Sequence, residues 1–451
     1  SSPSLSSSSS SSPSPQSGDT VERSTSNKSF HMRGSPLPDL NLWGHSAVCV
    51  PTGEISHSDD AEIIVFGGYG AGPAIVDVSS QKQKQQQKQH ETQKRTMHCA
   101  RSNKVFSLKR RDKIWDECWK ELKQKEVSNE NVEEMQHFGL KLQHVSFSAR
   151  EGHSSCILPL DKLKFSSDLD QIAPLVATFG GRAGPSRPNN DLLLMIPSRC
   201  YQDTISFFTP IDVQGNCPSP RWGHSFTALS GIGGRVGVVV GGRDEKNVLD
   251  SIHVLSCFCE ANSSGLQKKY FQWDRIDVLK SIPRFHHSAV LASSSEEGED
   301  YQDEIIIFGG MRSLNLFHDT FDSEDTTSSS LVITLRKNHS CSVESINSND
   351  ASLSVFGGAA CLVSSNGRNE KANIIFRCGG LSSCNETSEE TIASFGIHTF
   401  ERNRTGPIIY SADCEIEERI DFGSLIHHVI VELPFIEKGN LNFASLGGGA
   451  Q

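Results

Sequence analysis

Apolar and polar positions along the 451-residue chain repeat one design, a short β-branched or apolar run that ends in paired glycines. The six runs end at Gly67–Gly68, Gly180–Gly181, Gly241–Gly242, Gly309–Gly310, Gly379–Gly380 and Gly447–Gly448, as in IIVFGG, LVATFGG and EIIIFGG. Successive first glycines are 113, 61, 68, 70 and 68 residues apart. A second landmark precedes the pairs: WGHSAVCV from Trp43, EGHSSCIL from Glu151, WGHSFTAL from Trp222 and FHHSAVLA from Phe285. Its fifth copy, from Phe356, has Gly358 where the histidine belongs, and the sixth, from Phe422, is weaker. Helical periodicity is nowhere sustained, so these runs predict strands. Two landmarks per repeat, with candidates such as SIHVL and YFQWDRIDV, make a four-stranded unit. One such sheet leaves both faces bare; six packed radially bury a continuous core. The expected fold is all-β, a six-bladed β-propeller.

Composition divides the chain. The first 17 residues hold 12 Ser and 3 Pro, too little apolar surface to offset ordering entropy, so residues 1–37 read as a disordered linker and 38–451 as the propeller. A Gln/Lys-rich tract accounts for the long first spacing, and 81–104 is expected to be a flexible basic insertion. Lys and Arg total 43 against 54 Asp and Glu, a formal charge of -11, which excludes a uniformly basic nucleic-acid protein. Residues 81–113 are the exception, with 11 basic and 2 acidic side chains. They could follow an RNA backbone, although a solvated loop is the plainer reading. No apolar stretch approaches the roughly 20 residues that span a bilayer. Thirteen Cys without a C-x-x-C pair fit buried thiols in a reducing, cytoplasmic setting better than a disulfide framework.

Candidate chemistry is sparse. FGGYGAG at Phe66 superficially matches a cofactor loop, but AGPAIVDVSS does not start a helix and the same glycines recur in every repeat, so turn glycines are expected. His45, His153, His224 and His287 recur at one repeat position, which suits ties between neighbouring blades better than metal ligation. Neither G-x-S-x-G nor H-E-x-x-H occurs, so no catalytic residue and no metal site are expected, and a recognition module is the natural reading. Arg182 and Arg243 follow glycine pairs directly, and Arg312 follows Gly310 by two residues. They could contact RNA or another anion, or form inter-blade salt bridges.

Strand-ending glycine pairs of this kind resemble Kelch repeats, here with longer loops inserted. Four segments are more specific: LNLWGHSAVCV with VFGGYG, FGGRAGPSRPNNDLLLM, PSPRWGHSFTAL with VVVGGRDEKNVLDSIHVL, and the terminal LGGGA. They resemble the Kelch region of the wybutosine-synthesising tRNA methyltransferases, both the type related to leucine carboxyl methyltransferases and the plant type that fuses activities two, three and four. The resemblance runs over residues 38–451 with long unmatched stretches. It implies a parent protein that uses S-adenosylmethionine beside the anticodon of phenylalanine tRNA, with the propeller holding that tRNA or docking the protein's own methyltransferase domains. No cofactor site is expected in these residues. Gly358 departs from the repeat, and the chain ends at Gln451 where relatives continue another strand. The alternative is a Kelch adaptor for a protein partner without enzymatic role; methyltransferase or helical adaptor sequence before Ser1 would separate the two.

Overall fold

The computed structural model describes residues between Leu40 and Leu446; segments 71–99, 164–173, 313–329, 383–394, 412–428 and 433–442, both ends, and connections of eight residues or fewer lie outside the described residues. The architecture is all-β, with a short 3-10 turn at Ile232–Gly234 and no α-helix among the described residues.

Five antiparallel four-stranded units follow one another. Unit one contains Ser46–Pro51, Ala61–Phe66, Val105–Arg111 and Lys120–Gln124. Unit two contains Ser154–Leu158, Leu175–Phe179, Leu192–Met195 and Phe207–Pro210. Unit three contains Ser225–Ala228, Arg235–Val240, Ile252–Ala261 and Gln267–Ile276. Unit four contains Ser288–Glu297, Asp300–Phe308, Ser330–Arg336 and Cys341–Ile346. Unit five contains Ala359–Val363, Ala372–Cys378, Phe395–Arg402 and Ile408–Ser411. Of the sixth, the described residues form one antiparallel pair, Val429–Glu432 with Phe443–Leu446. Leu140–Val145 pairs with Phe207–Pro210 and meets the fourth strand of unit three at Lys269, which joins units two and three into a path of nine strands.

Register repeats with the sequence. The residue after the landmark histidine faces the residue before the glycine pair: Ser46 opposite Phe66, Ser154 opposite Phe179, Ser225 opposite Val240 and Ser288 opposite Phe308. The first strands of the six units neighbour one another in order, and Val429–Glu432 returns to Ser46–Pro51.

Packing between units explains why strands read as unbroken apolar runs instead of alternating. Ile64 and Phe66 pack with Val176, Leu193 and Phe207 of unit two, while Ile63 and Val65, one residue out of phase, lie on the other face with their sheet neighbour Leu108 and with Leu42 and Trp119. Phe179 and Leu194 of unit two meet Phe226, Val239 and Trp273 of unit three. Val238 and Val240 meet Ile305, Ile307 and Ile333 of unit four. A sheet covered on both faces has no polar side, so period-two alternation disappears.

The expected linker at residues 1–37 lies outside the described residues, as does the basic insertion up to residue 99. The insertion's final residues rejoin the fold: Ala100–Arg101 pairs with Tyr69–Gly70, and Ser102 N–H donates to the Gly68 carbonyl at 2.8 Å.

Candidate functional site: a cation and aromatic rim around glycine joints

The first three glycine pairs each join their unit to the next. Gly68, Gly181 and Gly242 donate their N–H to the carbonyls of Arg150, Arg221 and Arg284, at 2.8, 2.9 and 2.8 Å. The paired glycines of the first four units all have positive φ; Gly180 lies at 64° and Gly181 at 87°. A Cβ on Gly180 would stand 2.7 Å from the Arg221 carbonyl and 2.9 Å from the His224 ring, and one on Gly181 would stand 2.8 Å from His153 Cβ. Gly180→Ala therefore combines a left-handed backbone with a clash against main chain, and is expected to cost about 2–3 kcal/mol in urea denaturation. Gly379, Gly380, Gly447 and Gly448 lie outside the described residues.

These joints also test the FGGYGAG segment as a cofactor loop. Space beside Gly67 is taken by the His153 ring and the Arg150 carbonyl, and beside Gly68 by His45. Gly67 and Gly68 do not fit an S-adenosylmethionine cradle, which needs open backbone before a helix N-terminus.

His153 donates from Nε2 to the Phe66 carbonyl of the preceding unit at 3.1 Å, and His287 Nε2 lies 3.0 Å from the Ser225 hydroxyl. His224 packs edge-on against Phe179, ring centres 5.5 Å apart. Burial pushes all three pKa values down, with Arg150, Arg221 and Arg284 respectively adding to the effect; that of His224 falls to about 3. The serine after each histidine adds a second tie. Ser46 Oγ donates to the His153 carbonyl at 3.0 Å, Ser154 Oγ accepts from Phe226 N–H at 2.9 Å, and Ser288 Oγ donates to the Gly358 carbonyl at 2.5 Å. Among the described residues no group of His, Cys, Asp and Glu is arranged to hold a metal ion.

Three structural arginines escaped the reading of the sequence. Arg150, Arg221 and Arg284 are 2%, 1% and 0% exposed. Each donates from Nη1 to the carbonyl of its own unit's first paired glycine, at 3.0 Å to Gly180, 2.9 Å to Gly241 and 3.1 Å to Gly309. Arg150 also chelates Asp191 at 2.6 and 2.7 Å. A signal existed: an arginine stands three residues before the landmark histidine in units two, three and four.

The landmark positions of five successive units form a continuous chain of backbone hydrogen bonds. Gly152 donates to Gly44, Gly223 to Gly152, His286 to Gly223 and Gly357 to His286, all at 2.7–2.8 Å. His286 occupies a glycine position with φ 54°, the only positive-φ non-glycine among the described residues. This chain borders an open polar cavity of about 130 Å³ that includes His45, His153, His224 and His287 in its lining.

Flanking these lining residues in sequence is a series of stacked cations and aromatic rings. Trp43 packs on Tyr69, with ring centres 4.8 Å apart, and Arg101 lies over Tyr69 at 5.9 Å. Glu151 Oε1 accepts from Arg101 Nη2 at 2.8 Å and from Arg182 Nε at 2.9 Å. Arg182 lies 3.7 Å from the Trp222 ring centre; Arg243 lies 4.9 Å from Trp222 and 5.3 Å from Phe285. Backbone bridges Glu151–Arg182, Trp222–Arg243 and Phe285–Met311 place these side chains at equivalent points of successive units. The structure thus brings Arg182 and Arg243 together over one indole ring, and the salt bridge of Arg182 to Glu151 lies within unit two, not between units. Arg312 is exposed and joins none of these stacks among the described residues.

No family model and no curated protein matches the chain. Among solved structures, it is similar to a chain of the cryo-EM structure of RAG in complex with one melted RSS and one unmelted RSS, at 11% identity, over 57% of this chain and 84% of that one; the TM-score of 0.29 is too low to carry an argument.

Proposed function

We propose that this chain is a six-bladed Kelch-type propeller that serves a tRNA-modifying protein of wybutosine synthesis as its holding module. In this reading it positions the anticodon arm of phenylalanine tRNA or docks the methyltransferase domains, and S-adenosylmethionine is used by the parent protein outside these residues. The observation that carries the binding role is the Arg182–Trp222–Arg243 cluster, where two cations with open hydrogen-bonding edges share one indole ring. The cyclic succession of first strands supports the propeller. The four motif segments support the family.

The test is analysis of phenylalanine tRNA after loss of the gene. Accumulation of a wybutosine intermediate is the expected result, and an unchanged tRNA would sink the reading. Replacing Arg182 and Arg243 with glutamine in the full-length protein is expected to lower wybutosine formation about tenfold, measured by nucleoside analysis. The adaptor alternative is less well supported, because a protein interface needs aromatic anchors at its surface. Here the rings under Arg182 and Arg243 are covered, Trp222 at 6% and Phe285 at 1% exposed, while Trp43 and Tyr69 are half-buried.

A further inference from the structure

We infer that Arg182 and Arg243 form a two-point phosphodiester site that grips the backbone of a single-stranded nucleic acid without reading its bases. This rests on the holding role proposed above and specifies its chemistry.

Charge is the first argument. The two guanidinium carbons lie 3.7 and 4.9 Å from one indole centre, and so within about 9 Å of each other. The repulsion is felt: after burial, the charge of Arg182 is the main influence that depresses the pKa of Arg243. Two nearby acids offset part of this charge, Glu151 beside Arg182 and Asp244 beside Arg243, but neither occupies the terminal nitrogens. Glu151 is shared between Arg101 and Arg182 through one oxygen. Asp244 accepts the N–H groups of Lys246 and Asn247 at 2.7 and 2.6 Å. Arg182 uses only Nε, toward Glu151, and Arg243 only Nε, toward the Asp244 carbonyl at 3.4 Å. Their terminal nitrogens have no partner among the described residues. Two like charges held this close, with donor edges open, match an incoming anion.

Stacking is the second argument, and it decides what is read. Trp222 and Phe285 are covered by the guanidinium groups that lie on them, and their exposures of 6% and 1% leave no ring face for a base. Their role is to orient the cations. A guanidinium flat on an aromatic ring keeps its edge available for bidentate contact with phosphate. Glycine at 152 and 223 leaves the neighbouring ring positions without side chains. Buried aromatics also leave an acidic protein partner without an anchor, whereas a polyanion needs only the charges.

The experiment measures fluorescence anisotropy of full-length protein with labelled oligo(U), oligo(A) and phenylalanine tRNA between 50 and 300 mM salt, all on the order of usual binding conditions. Expected are similar affinities for the two homopolymers. In Arg182→Gln/Arg243→Gln the slope of log affinity against log salt should shrink by about 1.4, from two phosphate contacts at roughly 0.7 each on a single strand. Arg182→Lys/Arg243→Lys keeps both charges, so it should keep the slope yet lose affinity about tenfold through the lost bidentate contact. It also covers the case in which the glutamine variant fails to fold. Unchanged tRNA binding in both variants would overturn the two-arginine site and leave the holding role to other residues. A marked preference for one homopolymer that survives substitution would overturn backbone-only reading. Displacement of RNA by poly-glutamate at equal charge concentration would assign the site to an acidic protein instead. Absence of any RNA binding by the unaltered protein would overturn both this site and the holding role.

Discussion

Lowering the pH from 7.5 to 5 is expected to unfold or nearly unfold the protein at room temperature. His153, His224, His253 and His287 are buried, and burial lowers each pKa, to about 3 for His224 and His253. The folded state therefore keeps these rings neutral, while in the unfolded chain they take protons below about 6.5. With more protons bound by the unfolded chain, stability falls as pH drops through 6.5 toward 3 and is flat above about 7. At pH 5 each histidine with a folded pKa near 3 costs about 2 kcal/mol, so His224 and His253 alone remove about 4 kcal/mol, and His153 and His287 act in the same direction. Domains of this kind hold about 5–15 kcal/mol. Urea denaturation followed by circular dichroism at pH 7.5, 6 and 5 checks it. A stability at pH 5 within 1 kcal/mol of that at pH 7.5, on the order of a single exposed side chain's contribution, would show that the histidines charge without cost.

The second large effect concerns the boundary between units three and four. Arg235 and Asp303 are 5% and 0% exposed at their side chains, with Nη2 and Oδ2 2.9 Å apart. Arg235 lies 4.6 Å from the Tyr301 ring centre, and Ser294 Oγ donates to Asp303 at 3.0 Å. Asp303→Ala strands a guanidinium in the interior and is expected to cost about 3–5 kcal/mol. Arg235→Met/Asp303→Leu removes both charges and replaces them with apolar groups of similar length, so it should cost much less than the single change. Denaturation midpoints of the two single variants and the double variant give the coupling. Additive costs would mean that the pair is solvated and the boundary is held by the apolar packing of Val238, Val240, Ile305 and Ile307.

Stability and binding draw on the same repeat residues in different ways. The buried arginine of the landmark in units two, three and four is spent within the fold on the glycine carbonyls. The arginine after the glycine pair, as at Arg182 and Arg243, projects from the rim onto the next unit's aromatic ring. A substitution at the first kind of position is therefore expected to lower the melting temperature, and one at the second kind to lower binding with little change in melting.

The chain's own sequence determined the strand-rich class and, in the first four units, where the first strand begins and the second ends, because the histidine landmark and the paired glycines mark those two points. These are local signals: positive φ at Gly180 and Gly181 belongs to a few consecutive residues. Arg150, Arg221 and Arg284 carry a signal too, since each stands at one distance from its histidine, but arginine is ordinarily a surface residue and its repetition alone does not imply burial. Tertiary structure alone decided the remainder. That Glu151 bridges Arg101 and Arg182, that Arg182 and Arg243 share one indole, and that Arg312 does not join them depend on how successive sheets meet. Residues 40 or more positions apart come into contact across unit boundaries, and no periodicity within one strand encodes which side chain of the next sheet lies opposite.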